Sequence, residues 1–161
     1  EQLPQVFGHY DYKSRNLFIR RHPDDRREVI AVDWGDCGIG PLGGDLAMLV
    51  GCTAFFNDWA PERVAELDAA TYDAYRHGLF DAGWQGREEH VRLAYLIWSA
   101  LYFGPPMAAA VEFALQEENR DAFLRLMGCP PEQYIPAAVA LCDFALNCAD
   151  EAYGLMARLD L

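Results

Sequence analysis

His9-Tyr10-Asp11 is followed at residue 16 by an asparagine, and a later apolar run ends on Asp33-Trp34-Gly35. The pattern is His-x-Asp-x-x-x-x-Asn, then Asp-x-Gly at the end of a strand-like segment. It restricts the fold because Asp11, Asn16 and Asp33 can act together only if the chain between them doubles back. Residues 16–20 read as a short strand and residues 29–32, Val-Ile-Ala-Val, as a second. The polar stretch 21–28 contains Pro23 and reads as a turn. A hairpin with a loose loop follows, and it brings Asp33 back toward Asn16 and Asp11.

These residue types suit phosphoryl transfer. That chemistry needs one carboxylate to orient an attacking hydroxyl, plus an amide and a second carboxylate to hold magnesium on the nucleotide phosphates. Asn16 and Asp33 offer hard oxygen ligands, and magnesium takes few protein ligands while keeping several waters. Asp11 is left to accept a hydrogen bond from a hydroxyl and act as a base. Lys13, two residues on, reaches a transferring phosphate as a point charge. A lone Asp-x-x-x-x-Asn carries no weight, since both residues are common in loops. His9 reads as a structural, hydrogen-bonded histidine, and Lys13 and Arg15 have a plain reading as solvated cations. The joint pattern, with the intervening strands, Asp33 at a strand end and a further Asp45, carries the argument.

Together, His9-Tyr10-Asp11…Asn16, Asp33-Trp34 and Asp45-Leu46-Ala47 resemble the catalytic core of the aminoglycoside phosphotransferase family, relatives of the protein kinases. The family pattern is His-Gly-Asp-x-x-x-x-Asn, then Asp-Trp, a loop and Asp-Leu-Ala. The resemblance spans residues 9–50, and Tyr10 replaces the usual glycine. It implies that Asp11 is the catalytic base and that Asn16 and Asp33 bind magnesium. It implies that Asp45 is structural, accepting backbone hydrogen bonds that hold the catalytic loop. Asp33-Trp34-Gly35 is also similar to the kinase Asp-Phe-Gly triplet. The implied fold is α+β and predominantly helical, a protein-kinase-like C-terminal lobe with a small β-hairpin on a helical bundle. The implied activity is transfer of the γ-phosphate of ATP, with Mg2+, to a hydroxyl of a small molecule such as an aminoglycoside or another small alcohol.

A kinase of this type also has an N-terminal lobe, with a phosphate-covering loop and a lysine for the α- and β-phosphates. Only ten residues precede Asp11. Gly35-x-x-Gly38-x-Gly40 follows Asp33 and matches the activation segment instead. The expectation is therefore a single domain over residues 1–161, a catalytic lobe cut from something longer and inactive alone. The competing reading is a non-catalytic half-kinase that binds a ligand or partner, with the cleft floor around Val32, Trp34 and Ile39 laid bare. A weaker one is a metal-dependent hydrolase, for which Asp36 is the nearest further carboxylate.

The remaining sequence reads as helical from Asp45 onward. Residues 45–50 begin a helix; Pro61 suits a first helical turn; Val64, Leu67, Thr71, Tyr75 and Leu79 recur at helical spacing. Residues 86–103 read as a more apolar, buried helix, with 93–103 too short to span a bilayer and stopped by Gly104-Pro105-Pro106. Residues 107–127 read as one or two helices and 132–161 as a long final helix bent at Pro136. The glycine-rich segment 35–44 reads as irregular. A net charge of −12 argues against nucleic acid as a partner and is compatible with a cationic substrate. Five widely spaced cysteines form neither a disulfide framework nor a zinc site. They suit reduced thiols in the cytoplasm.

Overall fold

Apolar β-branched residues at 29–32 and the Leu-Phe-Ile run after Asn16 do pair. In the computed structural model, which describes residues 3–160, β2 (Leu17–Arg21) and β3 (Arg27–Ala31) form an antiparallel hairpin with Leu17 opposite Ala31. The ladder continues one step beyond that pair, since Val32 N–H donates to the Asn16 carbonyl at 3.0 Å. That bond fixes the end of β3, and hence Asp33, against the start of β2.

The segment expected to be irregular contains a strand. β4 (Gly38–Pro41) pairs antiparallel with β1 (Gln5–Gly8), Gly8 opposite Gly38. One β4 glycine, Gly40, serves close approach. A Cβ on Gly40 would lie 2.1 Å from the Tyr10 hydroxyl, so the Tyr10 ring lies against a backbone that only glycine allows.

The helices are α1 (Gly44–Phe55), α2 (Val64–Asp81), α3 (Glu88–Leu115), α4 (Arg120–Met127) and α5 (Pro131–Leu159).

 A 3-10 turn at Pro61–Arg63 leads into α2, whose half-buried stripe of Leu67, Thr71, Tyr75 and Leu79 follows the helical spacing of the sequence.

Helix α3 does not stop at Gly104-Pro105-Pro106 but runs through it to Leu115. Each proline removes one backbone donor, freeing the carbonyls of Leu101 and Tyr102. Both of those residues are exposed, so water can take the place of the lost donors, while the flanking Phe103 and Met107 are buried and hold the helix on the core. Gly104 faces Ala145 of α5, where an added Cβ would make an ordinary van der Waals contact at 3.6 Å. This continuity also overturns the length argument made from sequence. At 28 residues and a mean hydropathy of 1.2 over its most apolar window, α3 is long and apolar enough to cross a membrane by length and composition. Its Leu93, Tyr95, Leu96 and Phe103 pack instead with Leu46, Ala47 and Val50 of α1 and Leu141, Phe144 and Cys148 of α5. Helix α5 likewise runs unbroken across Pro136.

Arg92 ties three helices together. Its guanidinium donates to Asp68 of α2 at 3.1 Å and to Glu151 of α5 at 2.8 Å, and it lies over the Tyr72 and Tyr95 rings. Packing of α1 on α3 turns on one missing side chain. A Cβ on Gly51 would fall 2.0 Å from the buried Phe103 ring. Gly51→Ala therefore destabilises the protein by about 1–3 kcal/mol, the usual range for overpacking, read as a lowered urea midpoint with the slope unchanged.

Candidate active site

The loop between β1 and β2 is short and polar, so its shape depends on what holds its backbone. Asp45, in the first turn of α1, does this with both oxygens: Oδ2 accepts the His9 N–H at 2.9 Å and Oδ1 the Tyr10 N–H at 2.7 Å. Bonds to an ionised acceptor are the stronger kind. Tyr10 is thereby held at φ 56°, left-handed backbone that a non-glycine residue adopts at a cost. Its ring stacks on Trp98 of α3, centroids 5.4 Å apart, which offsets part of that cost.

His9 is buried and bridges the loop to the end of β3. Its Nε2 donates to the Val32 carbonyl at 2.8 Å, and its Nδ1 accepts the Asp11 N–H at 3.3 Å. This pair of partners assigns the neutral tautomer with the proton on Nε2. The ring also lies 4.6 Å from Trp34, whose indole N–H donates to the Ala31 carbonyl at 3.1 Å.

Asp11 sits at the centre of the group. Its Oδ2 accepts from Lys13 Nζ at 2.7 Å and from Asn16 Nδ2 at 2.8 Å. Asn16 Nδ2 also donates to the Asp11 carbonyl at 3.0 Å. With its amide nitrogen committed to two acceptors, buried Asn16 presents Oδ1 as its remaining polar atom. Asp11 Oδ1 accepts no hydrogen bond among the described residues. A 3-10 turn at Ser14–Asn16 completes the loop, and Asp58 fastens it from outside, accepting from the Ser14 hydroxyl at 2.9 Å and pairing with Arg15 at 3.5 Å.

Asp33 directly follows Val32, the last ladder residue. It is exposed, has φ 63°, and precedes a 3-10 turn at Trp34–Asp36. The structure thus brings Asp11, Lys13 and Asn16 into direct contact, with His9 and Asp45 supporting them. Asp33 is joined to the group through the backbone bond from Val32 to Asn16. Asp36 is exposed, and among the described residues no group of three or more His, Cys, Asp or Glu side chains is arranged to hold a metal.

Sequence reasoning missed the wall beside Asp11. An open cavity of about 250 Å³ lies between the Asp11–Lys13 pair and helices α1 and α3. Cys52 of α1 lines it, and burial pushes that thiol up to about 11, so it stays protonated near neutral pH and offers no nucleophile. Tyr102 of α3 also lines it, although the apolar run that contains Tyr102 reads in sequence simply as core.

The model of the phosphotransferase enzyme family matches residues 1–90, more than half of the chain and all of the loop, hairpin and Asp45 geometry described above. The chain belongs to this family. No curated protein and no solved structure gives a significant match. Phosphotransferase chemistry is thus the family's general activity, and the predominantly helical α+β fold carries the motif residues on its two small strand pairs.

Proposed function

We propose that this phosphotransferase moves the γ-phosphate of ATP to a hydroxyl of a small molecule, and that it is the kinase-like C-terminal lobe of such an enzyme. The observation that carries the reading is the joint grip of Lys13 Nζ and Asn16 Nδ2 on one oxygen of Asp11. That grip orients the carboxylate and leaves Oδ1 to accept the acceptor's hydroxyl proton as the new bond to phosphorus forms. Lys13, already beside the carboxylate, supplies positive charge where the transferring phosphoryl group would pass.

The residues present fit Mg2+. Asn16 has its nitrogen turned to acceptors and its oxygen left over, and Asp33 adds an exposed carboxylate from the end of the paired strand. Asn16 Oδ1 and Asp33 would hold the ion. When bound, it neutralises charge on the nucleotide phosphates. His9 and Asp45 act only by positioning the loop.

The rest of the nucleotide site would come from an N-terminal lobe outside residues 1–161, and this chain alone would be inactive. Exposed apolar residues at the strand pairs support that: Val32 and Trp34 are 40% and 48% exposed, and Ile39 is 73% exposed. The same surface favours the second reading, a non-catalytic half-kinase that binds a partner there. Five free cysteines support a cytoplasmic location. The acidic composition argues against nucleic acid as a partner, and the packing of α3 into the core argues against a membrane.

A metal titration separates the roles. In the full-length protein, Asp33→Asn raises the Mg2+ concentration for half-maximal turnover by about tenfold or more, in the range seen for weakened metal sites. Asp11→Asn lowers kcat without moving that midpoint. Equal midpoints in wild type and Asp33→Asn would remove Asp33 from the metal site.

A further inference from the structure

The cavity beside Asp11 has walls whose chemistry selects an acceptor. At one end stand Asp11 and Lys13, which neutralise each other across 2.7 Å. Among the described residues no other carboxylate lines it. The remaining wall is apolar: Met48 and Phe55 from α1, and Phe103 and Met107 from α3. A polycation entering here would give up water without meeting a counter-charge, and that cost is large. The chain's many acids do not help, and the nearby Asp58 is already engaged by Ser14 and Arg15.

A quaternary ammonium has a different requirement, several open aromatic faces around one point. Two of the four rings that line the cavity, Phe56 and Tyr102, already have one face occupied. The Arg15 guanidinium lies over the Phe56 ring at 4.1 Å, and Trp98 stacks on Tyr102 with centroids 5.4 Å apart. Space is sufficient for a ring with a short chain, since about 150 Å³ accommodates benzene in an apolar cavity.

We infer that the acceptor is a neutral alcohol with an apolar, aromatic-sized body, seated between α1 and α3 with its hydroxyl at Asp11. This rests on the phosphotransfer reading above. The hydroxyl oxygen forms a bond to the γ-phosphorus of a nucleoside triphosphate, and its proton passes to the Asp11 carboxylate. The bond from that phosphorus to the β–γ bridging oxygen breaks, and the nucleoside diphosphate leaves with the electron pair.

The methionines provide the test. Met48 and Met107 line this cavity, whereas Met127 and Met156 line other grooves. With methionine methyls labelled by 13C in the full-length protein, 3-phenyl-1-propanol shifts Met48 and Met107 saturably and leaves Met127 and Met156 in place. Its affinity exceeds that of kanamycin or choline at the same methyls by about tenfold or more, the discrimination expected from an unpaired charge. Tyr102→Ala weakens phenylpropanol binding by about fivefold, the worth of one aromatic contact. Pro106→Glu, at an exposed position of the wall, improves kanamycin binding relative to phenylpropanol and serves as the second variant. Tighter binding of kanamycin or choline at Met48 and Met107 overturns the inference, as does phenylpropanol shifting only Met127 or Met156, or none of the four. ADP release also separates the two claims. Phenylpropanol bound at Met48 and Met107 without ADP release from MgATP supports the pocket's preference and refutes phosphotransfer. ADP release with kanamycin and none with phenylpropanol refutes the preference and leaves phosphotransfer standing.

Discussion

Asp11→Ala in the full-length protein lowers kcat by about a thousandfold, within the range for a lost general base, and leaves the fold intact. Activity goes because neither His9 nor Cys52 can take the hydroxyl proton in its place. His9 has both ring nitrogens committed to Val32 and the Asp11 backbone, and Cys52 is held protonated by burial. The fold survives because Asn16 Nδ2 keeps its bond to the Asp11 carbonyl, which the substitution does not touch. Lys13 is partly exposed and turns to water. A far-ultraviolet spectrum and thermal midpoint close to wild type, together with the kinetic loss, are the expected pair of results. Retained turnover in this variant contradicts the assignment of Asp11.

Asp45→Ala has the largest expected effect on stability. Two backbone donors, His9 N–H and Tyr10 N–H, lose a charged acceptor at once. The expected loss is about 3 kcal/mol, since hydrogen bonds to charged groups contribute about 1.5–3 kcal/mol each and some are replaced by water. For a chain of this size that lowers Tm by about 6–12 °C. Tyr10 then loses the contact that holds it at positive φ, and the loop carrying Asp11 shifts with it, so kcat falls as well. Asp45→Asn retains one acceptor oxygen and falls between the two. A Tm change in Asp45→Ala of less than about 2 °C, under 1 kcal/mol here, would mean that Asp45 does not hold the loop.

The part of the site legible in sequence is the part built by neighbours along the chain. Asn16 reaches Asp11 within one loop, and the apolar, β-branched run before Asp33 marks a strand whose partner lies just upstream. Short-range periodicity is enough for both. The β4 strand was not legible, because its partner β1 lies thirty or more residues earlier and its glycines read as a loop. Gly40 answers to the Tyr10 ring, a contact that only the folded chain supplies. Pro105 and Pro106 misled in the opposite direction. Their local tendency to end a helix is outweighed by Phe103 and Met107 packing into the core on either side, with the freed carbonyls left at exposed residues.

The acceptor wall was hidden for a related reason. Met48, Cys52 and Phe103 look like ordinary core residues in sequence, and most of their surroundings are core. Only the placement of α1 against α3, set by Gly51 and the Phe103 ring, brings their edge beside Asp11. The substitution of Tyr10 for the family's glycine marks the same region. Its stacked ring leads to Trp98 and then to Tyr102 at the mouth of the cavity.

The most direct measurement follows the phosphorus. The full-length protein, incubated with MgATP and 3-phenyl-1-propanol, is monitored by 31P NMR. The account predicts a new phosphate monoester resonance growing in step with ADP, and its disappearance in Asp11→Asn. ADP accompanied only by inorganic phosphate, across this and other alcohols, or an undiminished ester signal in Asp11→Asn, would contradict it.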